Sequence, residues 1–219
     1  MAAASISPWA KFDSWCILLC DAPVSRIVHE SIAGEYVDAL RVKAQNLRLG
    51  DPYREDVQLG PIVNEKQLKR VDDIVRRSVD GGARLVIGGT HEGLFYQPTV
   101  LADVTQDLPA WTDEIFGPVA PVTTFRTDEE ALALANSSAY GLVGAVYSRS
   151  MSRGLAIAQR IKAGMVHVND GTLNDEATIP FGGSGLSGNG VRYGGEANLD
   201  NFTEWQWVTV RDEPPTFPF

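Results

Sequence analysis

The 219-residue sequence has only two cysteines, Cys16 and Cys20, and three histidines, His29, His91 and His167. Two cysteines cannot frame a chain of this size with disulfides, so a reducing compartment is the expectation. The histidines are scattered and no third or fourth ligand joins the cysteine pair, so no metal centre is expected. Basic residues are scarce as well: 19 Lys and Arg stand against 28 Asp and Glu, a formal net charge of -9 without a basic run. That balance excludes nucleic acid and an anionic membrane surface as main partners. Long hydrophobic runs are missing too. The opening residues carry no charged leader, Trp15–Cys20 is short, and Tyr140–Tyr147 is interrupted by glycine. Neither reaches the roughly 20 residues of a membrane span. We therefore read a soluble, cytoplasmic protein.

What is present is ordinary globular composition, 44% apolar and 21% charged, in a chain long enough to bury a core without covalent staples. Four segments carry helical periodicity with end signals. From Ser31, the residues Ile32, Tyr36, Ala39, Leu40 and Leu47 share a face, and Gly50-Asp51-Pro52 is the stop. Asn64 followed by Gln67 reads as a capping box, opening a stripe of Leu68, Val71, Val75 and Val79 that ends at Gly81-Gly82. Thr127-Asp-Glu-Glu130 opens a third helix onto Ala131–Ala135. A fourth begins near Ser150, buries Leu155, Ala158 and Ile161, and ends at Gly164.

Between these helices lie β-rich runs: Arg26–His29, Leu85–Ile87, Val119–Phe125, Gly144–Tyr147 and Met165–Val168. Short strands alternating with longer helices predict an α/β fold with a mostly parallel sheet flanked by helices. Phe202–Val210 reads as a further, C-terminal strand before a Pro-rich tail. The division is then an atypical segment 1–25, an α/β domain 26–200, and a C-terminal strand and tail 201–219. Residues 1–25 show neither a clean helical nor a clean strand pattern, although Trp9, Phe12 and Trp15 precede the apolar Trp15–Cys20.

Several residues invite a chemical reading. Gly183-Ser-Gly185-Leu-Ser-Gly188 fits the dinucleotide pattern GxGxxG, but it follows Pro180-Phe181 with no acidic residue about twenty positions on. A tight loop packed against its own domain is the better reading. Cys20 is either a nucleophilic thiol for acyl chemistry or a small apolar residue. Glu114, leading into Ile115-Phe116-Gly117-Pro118, is either a solvated turn carboxylate or a group that binds sugar hydroxyls. Asn174-Asp175-Glu176 reads as an exposed polar loop of the kind that carries function.

Five motifs then carry a resemblance: Gln97-Pro-Thr-Val-Leu101, Asp113-Glu-Ile-Phe-Gly-Pro-Val119, Ala139-Tyr-Gly-Leu142, Gly164-Met-Val-His-Val-Asn169 and Pro180-Phe-Gly-Gly183. In order and spacing they resemble the aldehyde dehydrogenases over roughly Arg26–Val210. Asn174–Ala177, Arg192–Gly195 and Asn201–Trp205 look most like the benzaldehyde and vanillin dehydrogenase branch, which implies a small aromatic aldehyde as substrate. The resemblance implies an aldehyde dehydrogenase catalytic-domain-like fold. It also implies NAD or NADP as cofactor, with a Cys thiohemiacetal passing hydride to it and a Glu-activated water hydrolysing the thioester.

By that resemblance Cys20 is the candidate catalytic nucleophile. Glu114 holds the nicotinamide ribose, Phe116 lies beside the nicotinamide, and Asn169 and Phe181 sit near the substrate. Phe202–Val210 resembles an intersubunit strand, implying a homo-oligomer or pairing with a full-length aldehyde dehydrogenase subunit. Two departures qualify the match. Counting back from Arg26 puts Asp21 in the family's nucleophile slot, one residue from Cys20. Family members are also about twice this long, the difference being the N-terminal half with its dinucleotide domain and catalytic Glu. The resemblance therefore implies a dehydrogenase impaired as an isolated chain, with an assembly module or a cofactor-independent thiol hydrolase as alternatives.

Overall fold

The structure is a computed structural model that describes residues 16–20, 25–172 and 176–216, the first of these segments by its backbone. Along the chain run β1 (Cys16–Cys20), β2 (Arg26–His29), α1 (Glu30–Asn46), α2 (Glu65–Asp80) and β3 (Arg84–Ile87). The hairpin β4 (His91–Glu92) and β5 (Phe95–Tyr96) follows, then β6 (Thr99–Ala102), α3 (Pro109–Thr112), β7 (Val119–Phe125) and α4 (Asp128–Ala135). The remainder comprises β8 (Tyr140–Gly141), β9 (Val143–Tyr147), α5 (Met151–Ala158), β10 (Met165–Val168), β11 (Ser184–Gly185) and α6 (Ala197–Phe202).

Seven strands form one sheet in the order β10-β9-β1-β2-β7-β6-β3. Strands β10 and β9 pair in parallel, as do β2, β7 and β6. Because β1 is antiparallel to both β2 and β9, those two also run the same way. Five strands therefore share one direction, and β1 and the edge strand β3 oppose them. The sheet is α/β and mostly parallel, as the pattern predicts.

Burial follows from helices on both faces. Ile27, Phe125 and Val146 pack with α4 and α5, whereas Val28, Val122 and Ala102 pack with Ile32, Tyr36 and Val37 of α1. Leu68, Val71, Ile74 and Val75 of α2 close a third cluster over Leu101, Val104 and Val119, and Trp111 touches this cluster and the α4–α5 one. A strand covered on both sides needs a near-continuous apolar run. Strand β7 has one: all but Thr124 of its seven residues are buried.

The end signals largely hold. Asn64 accepts from the Gln67 amide, Thr127 from Glu130 and Ser150 from Arg153, each side chain capping its helix. His29 caps α1 ahead of Ser31: its Nδ1 accepts from the Ser31 amide at 3.2 Å, while Nε2 meets the Arg126 carbonyl at 3.2 Å. A carbonyl only accepts, so the ring carries its proton on Nε2.

Leu155, expected to be buried on α5, is 47% exposed, and other expectations also meet a different outcome. Helix α5 stops at Ala158, not Gly164, because Asn136 takes the next turn: its Nδ2 donates to the Arg160 carbonyl and its Oδ1 accepts from the Lys162 amide. Strand β1 arises where no strand pattern was evident. At Phe202–Val210, expected as a strand that pairs between subunits, Phe202 ends α6 and residues 203–210 pair with no strand among the described residues of the single chain. A strand needs a ladder partner for its N–H and C=O groups, and this segment, with Trp205 and Trp207 essentially fully exposed, has none there. Trp9, Phe12, Asp21 and Asn174-Asp175 lie outside the described residues.

Phe125, 1% exposed between β2 and α4, is the test of this core. Phe125→Ala should lower unfolding free energy by about 3–5 kcal/mol, read from urea denaturation by circular dichroism.

Candidate active site

The turn from α3 into β7 carries the first two candidate residues, Glu114 and Phe116. Asp113 leaves α3 with its amide still bonded to Pro109. Ile115 then plunges into the α2 cluster at 4% exposed, while Phe116 beside it is 73% exposed. Phe116 also has φ +47, a left-handed conformation that costs a bulky side chain roughly 1–2 kcal/mol. An exposed aromatic ring held in a strained backbone gains nothing for stability, so a functional contact is the reading it supports.

Helix α2 holds this turn. Gln67 Nε2 donates to the Ile115 carbonyl at 2.8 Å and to that of Phe116 at 3.2 Å. Arg70 Nη2 donates to the Glu114 carbonyl at 3.2 Å. A side chain on Gly117 would meet Val71 Cγ2 at 2.7 Å, so the turn lies flush against the helix. Gln67 does not complete a capping box, as its spacing from Asn64 suggests, because its amide faces the turn. Sequence reasoning passed over Gln67 and Arg70 as site residues, and their only signal was helical spacing.

Asn169 is the second strained site residue, at φ +58 just past β10. Its side-chain amide is engaged: Oδ1 accepts from the Ser148 amide at 2.8 Å and Nδ2 donates to the Ser148 carbonyl at 2.9 Å. It thereby fastens the β9–α5 connection to the end of β10. Phe181 forms an isolated antiparallel bridge with Tyr193, and the carbonyl of the following Gly182 packs directly on Gly164. Gly164 can only be glycine there, since a Cβ would occupy the position of that carbonyl.

Register places Cys20. It pairs with Val143, which pairs in turn with Met165, next to Gly164 and the Phe181–Gly182 segment. Across the sheet, Leu18 pairs with Arg26 and Arg26 with Val122, so Cys20 stands level with Ala120, just inside the start of β7. Two strand spacings, about 10 Å, separate those two backbones. Cys20, Phe181 and the Glu114–Phe116 turn thus gather at the end where the parallel strands begin. Asn169 does not join them, because it lies past the opposite end of β10, about 13 Å along a four-residue strand.

The glycine-rich stretch is structural. Ser184-Gly185 pairs with β8, and added Cβ atoms at Gly183, Gly185 and Gly188 would strike the carbonyls of Ser187, Ala139 and Gly183. It sits between no strand and helix that could cradle a pyrophosphate, as the sequence reading holds. The gathered end offers three chemical elements: a thiol position, a carboxylate on a clamped turn, and an exposed aromatic face suited to a planar ring.

Comparison with known proteins identifies the family. The sequence profile of the Aldehyde dehydrogenase family matches residues 19–208, a range that includes Cys20. The chain is 44% identical over 201 residues to the Pseudomonas putida benzaldehyde dehydrogenase [NAD(+)], covering 92% of this chain and 41% of that protein. It is 46% identical over 218 residues to a vanillin dehydrogenase of an Amycolatopsis species, covering 99% and 45% respectively. The crystal structure of a salicylaldehyde dehydrogenase from Pseudomonas putida G7, complexed with salicylaldehyde, superposes with a TM-score of 0.82 at 35% identity, covering 88% of this chain and 40% of that one. The chain thus spans less than half the length of these relatives.

The turn separates structure from function within two adjacent residues. Ile115→Ala should cost about 2–4 kcal/mol of stability, whereas Phe116→Gly, which relieves the left-handed strain, should change it by less than about 1 kcal/mol. Parallel urea titrations check this. Equal losses would mean that Phe116 is a packing residue.

Proposed function

Because the chain belongs to the aldehyde dehydrogenase family, we propose that its gathered sheet end is the nicotinamide and substrate side of an NAD(P)-dependent site for a small aromatic aldehyde. The observation that carries the reading is Phe116, an exposed ring in a left-handed backbone on a turn clamped by α2. In this proposal Glu114 takes ribose hydroxyls and Phe116 lies against the nicotinamide ring, which accepts hydride when the cofactor is bound. Cys20 supplies the thiolate that adds to the aldehyde carbon, and Phe181 lines the aldehyde side. Asn169 acts at one remove, by holding Ser148 and the end of β10.

The residues fit one end of the cofactor. Among the described residues no strand, glycine-rich turn and helix stand together to take its pyrophosphate. Hydride transfer needs donor and acceptor in line, and a misplacement of about 1 Å can cost on the order of 100-fold. The isolated chain is therefore proposed to be impaired.

An NAD and NADP titration of the purified chain tests the reading, followed by Trp fluorescence and by absorbance of the reduced cofactor with and without benzaldehyde. We expect weak, millimolar-range quenching that Glu114→Gln and Phe116→Gly each reduce severalfold, with little reduced cofactor formed. Quenching untouched by both substitutions would remove the site assignment. Rapid benzaldehyde-dependent reduction would refute the impairment, and Cys20→Ala would then have to abolish it.

A second reading rests on the C-terminal segment. Phe202, Trp205, Trp207, Val208 and Val210 are all exposed, with no ladder partner among the described residues. Such a row is a template for pairing with another chain, and we propose a second copy of this chain, or a longer relative, as its partner. Replacing Trp205 and Trp207 with Ser should shift the chain toward monomer in sedimentation velocity. An unchanged distribution would rule the segment out as the association strand.

A further inference from the structure

We infer that Gln67 and Arg70 are positioning residues that hold Phe116 in its left-handed conformation and so aim its ring. The two lie three apart on α2, hence on one face, with Val71 completing that face. Together they take three successive carbonyls: Arg70 donates to that of Glu114, and Gln67 to those of Ile115 and Phe116. Three consecutive carbonyls bonded to one helix restrict rotation of each peptide plane between them. Ile115, buried below, and Gly117, flush on Val71, pin the turn on either side.

The φ of Phe116 is the variable left over, and the two carbonyls bonded to Gln67 bracket it. Without Gln67 both lose their side-chain donor, and the residue is released to relax toward negative φ. The ring would then swing away from the face it presents. The inference rests on the proposed cofactor role of Phe116 only for its consequence in binding; the clamp itself is a statement about backbone geometry.

The experiment has two arms, both on the full chain. Gln67→Glu keeps the side-chain length but replaces the donating NH2 by an oxygen facing two carbonyls. Gln67→Met repeats the loss of donors should the first variant fail to fold. Arg70→Lys keeps a cationic donor and serves as the conservative control. In the first arm, backbone chemical shifts of residues 114–117 report φ at Phe116. Both Gln67 variants should move Phe116 toward negative φ, with Arg70→Lys close to wild type.

In the second arm, NAD affinity is measured for Gln67→Glu, Phe116→Gly and the double variant. Gln67→Glu alone should weaken binding severalfold, no more than Phe116→Gly does, because it acts through that ring. In the Phe116→Gly background the same change should have little further effect, since coupled residues are non-additive. Unchanged shifts at Phe116 in both Gln67 variants would overturn the clamp. Moved shifts with additive affinities would overturn the positioning role. A wild-type chain that binds no NAD would defeat the cofactor reading instead, and the chemical shifts alone would then decide the clamp.

Discussion

Strand β7 lies between β2 and β6 and is buried on both faces, so its ends cannot slide without moving an apolar side chain into water. A one-residue slip would exchange the Val122 face for the Phe125 face, and each is matched to different helices. That register sets the depth at which the α3–β7 turn emerges. It also sets the level of Cys20, two strands away through Arg26. The separation between thiol position and turn is thus a property of the sheet.

The turn is made rigid by a different means. It has no regular ladder of its own, so its carbonyls are satisfied by side chains of α2, and its one buried residue anchors it in the cluster beneath. Function in such a turn is compatible with strain, because the strain at Phe116 is held by contacts elsewhere. The glycines at 164 and 182 serve the opposite end of the candidate site by allowing two backbones to touch. One side of the site is built by donors and the other by the absence of side chains.

Much of this was legible in the linear chain. The helix starts at Asn64, Thr127 and Ser150 were marked by capping residues, whose effect is local and needs no tertiary information. The strands Arg26–His29, Val119–Phe125 and Met165–Val168 showed as short apolar runs between helices. Glu114 and Phe116 stood out as candidates because they sit in a recognisable motif, and the family assignment followed from several such motifs agreeing. Strand β1 was not legible, since its pairing with β2 and β9 depends on a slot that only the assembled sheet provides. The C-terminal segment shows the converse: a strand-like pattern without a ladder partner among the described residues remains outside any sheet.

Sequence by itself determined the local elements, the α/β class and the family, because periodicity, capping and motif spacing are encoded within a few residues of one another. Tertiary structure alone decided which of the candidate residues meet. It brought Cys20, Phe181 and the Glu114–Phe116 turn to the end where the parallel strands begin, and it left Asn169 at the other, engaged with Ser148. It also gave Gln67 a partner 48 residues away. Such pairings depend on strand order and register, which are settled by the fit of buried side chains between distant segments, and no local pattern encodes that fit.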